Sequence, residues 1–307
     1  MPAFCSHYLF FEESKDFINS MADFELNDRV CILGSQGPDI FYFHKIYSPS
    51  FSLRKIGSAL HRAKSEDIFN AFASYIRKNP NSVAKSYIYG FILHYALDRK
   101  CHPYIYSQEK IITDSDSKIH HSSAHNKVEM GLDAYMLYQR LDIEYPYLFD
   151  SYKTVMLSDD EKEIVADVLC YTCRKVLKKI IRKGAVKKAI DDTCKIQKIL
   201  QDKSGALCAV LTVAETVLGG VTGHYKFSSM IKPRVWKIGE KYANIDNGAW
   251  INPFNNEISH LSFEQLYISA LSDAEDLLFG FERIVCSADD ARNVTENISF
   301  LTGLEIE

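Results

Sequence analysis

The sequence of 307 residues opens with nothing that would direct export. Met1 to His7 has neither a basic region nor a long apolar core. On that reading the protein is cytoplasmic. A membrane-spanning run is missing too. Ala206 to Val221 is markedly apolar, but Glu215 interrupts it and it falls short of a spanning length, so it is expected as a core helix. Membrane contact, where it occurs, is then peripheral. The eight cysteines form no framework. Cys170 and Cys173 make the single C-x-x-C, and without a second pair they read as helix-core thiols in a reducing compartment. There is no excess of positive charge: 36 Lys and Arg stand against 40 Asp and Glu, a net charge of -4. That balance does not suggest nucleic acid as a bulk partner, and no stable one is expected. No strand-like alternation of any length, no repeat and no low-complexity tract interrupts the chain, and nothing in it sets an oligomeric state.

What remains is helical rhythm. Apolar positions recur at helical spacing over residues 8 to 24, and Ser65 opens a helix to about Arg77. A strongly apolar helix with one polar seam covers Val83 to Cys101, and another runs over roughly 122 to 140. Ser158-Asp159-Asp160-Glu161 is an acidic helix start. Arg174 to Lys188 winds eight basic residues around Val176, Leu177, Ile180 and Ile181. That pattern fits a surface helix packed on the core, or one lying on an anionic membrane. Ser262 opens a last long helix. The fold expected is all-α, one multi-helix domain over 1–307 with a ligand-rich half, 1–140, and a helical half, 141–307.

His94, Asp98 and His102 lie four residues apart, so on a helix they share one face. Imidazoles and a carboxylate at this spacing can converge on a transition metal, or form a polar seam facing water. Pro103 is expected to end this helix with His102 in its last turn. His125 and Glu129 repeat the four-residue step. His7, Asp39 on the Gly37-Pro38 turn, and His61 complete five imidazoles and three carboxylates within the first 130 residues. His44, His120 and His121 stand near them as spare ligands, phosphate contacts or ordinary polar positions.

The ordered set of His7, G-x-Q-G-P-D ending at Asp39, His61, H-x-x-x-D-x-x-x-H and H-x-x-x-E resembles bacterial zinc-dependent phospholipase C. The phrases M-P-A-F-x-x-H and G-F-I-L-H-Y-A-L-D are especially close to its short, leaderless members. The motifs span residues 2 to 130. The same superfamily pattern occurs in zinc-dependent single-strand nucleases.

The resemblance implies an all-helical domain holding two to three zinc ions. Asp39, His61, His94 and Asp98 would hold one, and His102, His125 and Glu129 a second. His7 and Asp98, with the N-terminal amine and carbonyl, would hold a third. Asp98 would bridge two ions, as a carboxylate can and an imidazole cannot. Asp39 would also be the general base for a metal-activated water that attacks a phosphodiester. Three zinc ions against three carboxylates leave a cationic site suited to phosphate. The implied reaction cleaves a phospholipid to diacylglycerol and a phosphorylated headgroup. A single-strand nuclease or phosphatase, or a metal-stabilised helical scaffold without turnover, are the alternatives. Three departures stand out. Secreted members expose an N-terminal tryptophan where this chain has Met1-Pro2. The step from Asp98 to His102 is shorter than theirs. Ile40 replaces the aromatic that cradles choline, leaving Phe41 or Tyr42 for that role.

Overall fold

The computed structural model describes residues 4–46, 48, 52–218 and 225–306. Helices α1 (Phe4–Met21), α2 (Asp28–Ser35), α3 (Ile40–Phe43), α4 (Arg54–His61) and α5 (Ser65–Lys78) lead to the long α6 (Ser82–Ser115) and α7 (His121–Leu141). Then come α8 (Ser151–Thr154), α9 (Asp159–Val176), α10 (Lys183–Leu200), α11 (Ala206–Leu218), α12 (Lys237–Glu240), α13 (Phe263–Val285) and α14 (Ala291–Thr295). The fold is all-α. The sheet among the described residues is one antiparallel ribbon of β1 (Trp250–Ile251) and β2 (Ile258–Ser259).

The helix starts follow local chemistry. Asn27 and Asn81 accept the backbone N–H groups of Val30 and Ala84. Ser158 with Glu161, and Ser262 with Gln265, form reciprocal capping boxes on α9 and α13. One buried apolar cluster runs from Phe4 to Phe300 and takes side chains from both halves of the chain.

At 34 residues α6 is about 50 Å long and forms the spine. It packs against α1, α2, α7 and α13. Its approach to α2 is backbone on backbone: a Cβ on Gly90 would lie 2.0 Å from the Cys31 carbonyl oxygen and 2.8 Å from Gly34 Cα. A glycine is required there.

Three sequence expectations need correction. Pro103 does not end the helix, which runs on for twelve residues to Ser115. Proline cannot donate to the Arg99 carbonyl. The C-terminal loop covers that defect, with Gly303 against the Arg99 oxygen and the Pro103 ring. Arg174 to Lys188 is not one helix either. Lys178 takes a left-handed φ of 55°, and the chain turns so that α10 packs back on α9. Ile180, on the supposed apolar stripe, is 87% exposed. The basic residues instead meet acids across the helix pair: Lys183 and Lys187 each lie about 3 Å from Glu163. Finally, α11 is not a core helix. Val210, Val213 and Val217 face outward, because its few neighbours line one side of it; positions 219–221 lie outside the described residues. No helix among the described residues is long and apolar enough to cross a membrane.

Candidate metal centre

The seam of α6 presents His94, Asp98 and His102 inward, all buried. His94 Nε2 lies 3.0 Å from Asp98 Oδ2. The turn after α2 lays Asp39 beside them. Gly37 there has a φ of 52°, and a Cβ would meet the His94 ring at 2.3 Å, so the turn can lie on the imidazole only with glycine. His61, the last residue of α4, puts Nε2 3.3 Å from Asp39 Oδ1 and 3.4 Å from His94 Nε2. From α1, His7 stacks on His94 at 4.5 Å between ring centres and brings Nε2 3.4 Å from Asp98 Oδ1. From α7, His125 Nε2 lies 3.2 Å from Glu129 Oε1, and His102 Nε2 lies 3.9 Å from that oxygen.

All eight residues singled out in the sequence therefore come together. Their donor atoms form three groups: His7, His94 and Asp98; Asp39, His61 and His94; His102, His125 and Glu129. Within each group the atoms lie within 4.8 Å of one another. Asp98 turns Oδ1 toward His7 and Oδ2 toward His94, as a bridging carboxylate would. The N-terminal amine and carbonyl expected as ligands belong to positions outside the described residues.

Four of the imidazoles are fixed from behind. Nδ1 of His61 pairs with the Gly57 carbonyl at 3.0 Å, His94 with Ser35 at 3.2 Å and His102 with Phe300 at 2.8 Å. His125 Nδ1 pairs with Glu109 Oε2 at 2.9 Å. With Nδ1 donating outward, each ring offers the lone pair of Nε2 to the centre. Imidazole nitrogens and carboxylate oxygens, so oriented, are the donor chemistry of zinc.

Four contributors had escaped the sequence reading. Glu109 and Tyr106 continue the face of α6 beyond Pro103; Tyr106 packs its ring 4.9 Å from that of His125. Asp133 extends the four-residue series of His125 and Glu129. Its buried carboxylate accepts the N–H groups of Cys5 and Ser6 at 2.8 Å, which ties the start of α1, and so His7, to α7. Phe300 comes from the far end of the chain and packs under His61 and His94.

Burial raises Asp39 above the ordinary carboxylate range. Burial also opposes charge on Asp98, but the His102 and His94 imidazoles hold it well below that range. Burial, then His94, lowers His61 to about 3. For His125 burial is outweighed by Glu129 and Glu109, which raise it to about 9. The centre thus mixes groups that favour charge with groups that resist it, a hallmark of functional sites.

The space between the groups is small, about 70 Å³, bounded also by Tyr42, Tyr106 and Leu301. Of the two expected substrate contacts, Tyr42 borders this space: its ring stacks on His61 at 5.9 Å and its hydroxyl meets Ser58 at 3.2 Å. Phe41 does not. It is wholly buried in the apolar cluster, because a helical chain points consecutive residues about 100° apart. His120 caps α7 through the Ser122 N–H, His121 holds the other Glu109 oxygen, and His44 accepts the Leu53 N–H. None of these three joins a ligand group among the described residues.

A family model described as zinc dependent phospholipase C matches residues 1–196. No curated protein and no solved structure matches the chain.

Proposed function

The chain belongs to the zinc-dependent phospholipase C family, and from that premise we propose that it hydrolyses the glycerol-side phosphoester of a phospholipid. The observation that carries this reading is the convergence of five imidazoles and three carboxylates, from five segments, on one buried centre. Two to three zinc ions would be held by His7, Asp39, His61, His94, Asp98, His102, His125 and Glu129. Bound there, zinc supplies Lewis-acid polarisation and lowers the pKa of water toward neutrality.

The chain's own residues do the rest. The raised affinity of Asp39 for protons suits it to take one from the attacking water. As the new oxygen–phosphorus bond forms, the bond to the glycerol oxygen breaks and that oxygen takes up a proton, which balances the one Asp39 removes from the water. Diacylglycerol and a phosphorylated headgroup leave. A space of about 70 Å³ takes the phosphoryl group and excludes acyl chains, so the apolar part of the substrate stays outside Tyr42 and Tyr106.

Elemental analysis of native protein tests the centre: two to three zinc per chain are expected, falling in His94→Ala and Asp98→Ala. Asp39→Asn should lower phospholipid turnover by about 10²–10⁴-fold. Less than one zinc, unchanged by either alanine, overturns the reading. Faster cleavage of single-stranded nucleic acid than of phospholipid transfers the site to the nuclease chemistry.

A further inference from the structure

On the far side of α7 from the ligands lies a second cavity of about 610 Å³, between α7, α11 and the segment 226–242. Its size falls within the roughly 300–1,000 Å³ of small-molecule sites. Met130, Ile231, Ile238 and Tyr242 give it an apolar floor. Lys118, Lys127 and Lys226 stand around it, and none forms an ion pair with a carboxylate among the described residues. Two acids share the rim. Glu215 is engaged by the N–H and hydroxyl of Ser228 at 2.8 and 2.6 Å, and Asp116 accepts the Lys118 N–H at 3.0 Å. Three cations against these two acids leave one positive charge over an apolar cleft.

We infer that this cavity binds a single-chain anionic amphiphile, with its alkyl chain on the Met130–Tyr242 floor and its one negative group among Lys118, Lys127 and Lys226. A long-chain fatty acid supplies that chemistry, and so does a lysophospholipid with an exposed phosphate. A neutral lipid lacks the anion, and a soluble phosphate lacks the chain. The site does not depend on the hydrolase reading, since no metal-centre residue lines it.

The test uses the full chain and cis-parinarate as a fluorescent probe, displaced by oleate, oleoyl lysophosphatidate or oleyl alcohol below their micelle concentrations. Saturable binding of one probe per chain is expected, with oleyl alcohol at least about tenfold weaker than the better of the two anions. Which anion displaces better identifies the source. Lys127→Gln with Lys226→Gln should weaken binding about tenfold or more at unchanged zinc content and thermal midpoint. Three results overturn the inference: no saturable binding, an alcohol as effective as the anions, or a lysine variant that binds as tightly as native protein. Loss of binding in Asp39→Ala with retention in the lysine variant also overturns it, by placing the anion at the metal centre.

Discussion

A carboxylate on Nδ1 leaves the neutral ring of His125 with Nε2 as its only lone pair for a metal, and Glu109 is that carboxylate, 2.9 Å away. Its other oxygen holds His121, which is exposed to solvent and touches no ligand group. The two histidines therefore separate orientation from ordinary hydrogen bonding. Glu109→Gln should lower zinc affinity at the His102–His125–Glu129 group by about 10–100-fold in chelator competition. His121→Ala should leave it nearly unchanged. Equal losses would mean that Glu109 acts through folding alone. The same residue fixes a pH dependence. With its pKa raised to about 9, His125 is protonated at neutral pH and must lose that proton to ligate. Apparent zinc affinity there should rise with pH, by up to about tenfold per unit, and level off near pH 9. A flat profile between neutrality and that point would show that His125 is already neutral.

At the level of elements, α6 explains both what could be read in advance and what could not. A four-residue spacing is a local property, so His94, Asp98, His102, His125 and Glu129 announce one-sided helices without any knowledge of the fold. Pro103 is local too, but its effect is not. A free helix would lose the bond to the Arg99 carbonyl, whereas here residues 299–303 pack over the gap and the helix continues. Treating Pro103 as a stop hid Tyr106 and Glu109, which lie on the extension. Phe300 sits 198 residues from His102 and gives no signal at any helical spacing. Apolar composition misled at α11 for the converse reason, because hydropathy says what can be buried and tertiary packing decides what is. The α2–α6 contact offers a test at this scale. Gly90→Ala forces a methyl into the Cys31 carbonyl and should cost about 1–3 kcal/mol in denaturant unfolding. It should also move Ser35 off His94 Nδ1 and reduce bound zinc. Full stability with full zinc would show that α2 yields freely.

Across the whole molecule, the centre joins α1, α4, α6, α7, the turn after α2 and the loop at residue 300, so the groups that would hold zinc also close the fold. An ion that binds only the folded chain stabilises it by about 4 kcal/mol at a thousand times its dissociation constant. The protein's own titrations set how that gain varies with pH. His94, through Asp98 and Asp39, and His125, through Glu129 and Glu109, have pKa values raised above those of the unfolded chain. Their contribution to the metal-free protein is full below about pH 6.5, the unfolded histidine value, and is lost as pH rises through the folded values, about 9 for His125. Asp98 and Glu129 are shifted down, so their contribution is lost only on acidification and does not vary in this window. In the zinc-loaded protein both imidazoles are already neutral, and that term is absent. The difference in thermal midpoint between zinc-loaded and chelator-treated protein should therefore widen steadily from neutrality to about pH 9, mostly because the chelated form weakens. A difference that stays constant, or that narrows, would mean that His94 and His125 carry no proton in the chelated fold, and that Asp98, Glu109 and Glu129 hold them by geometry alone.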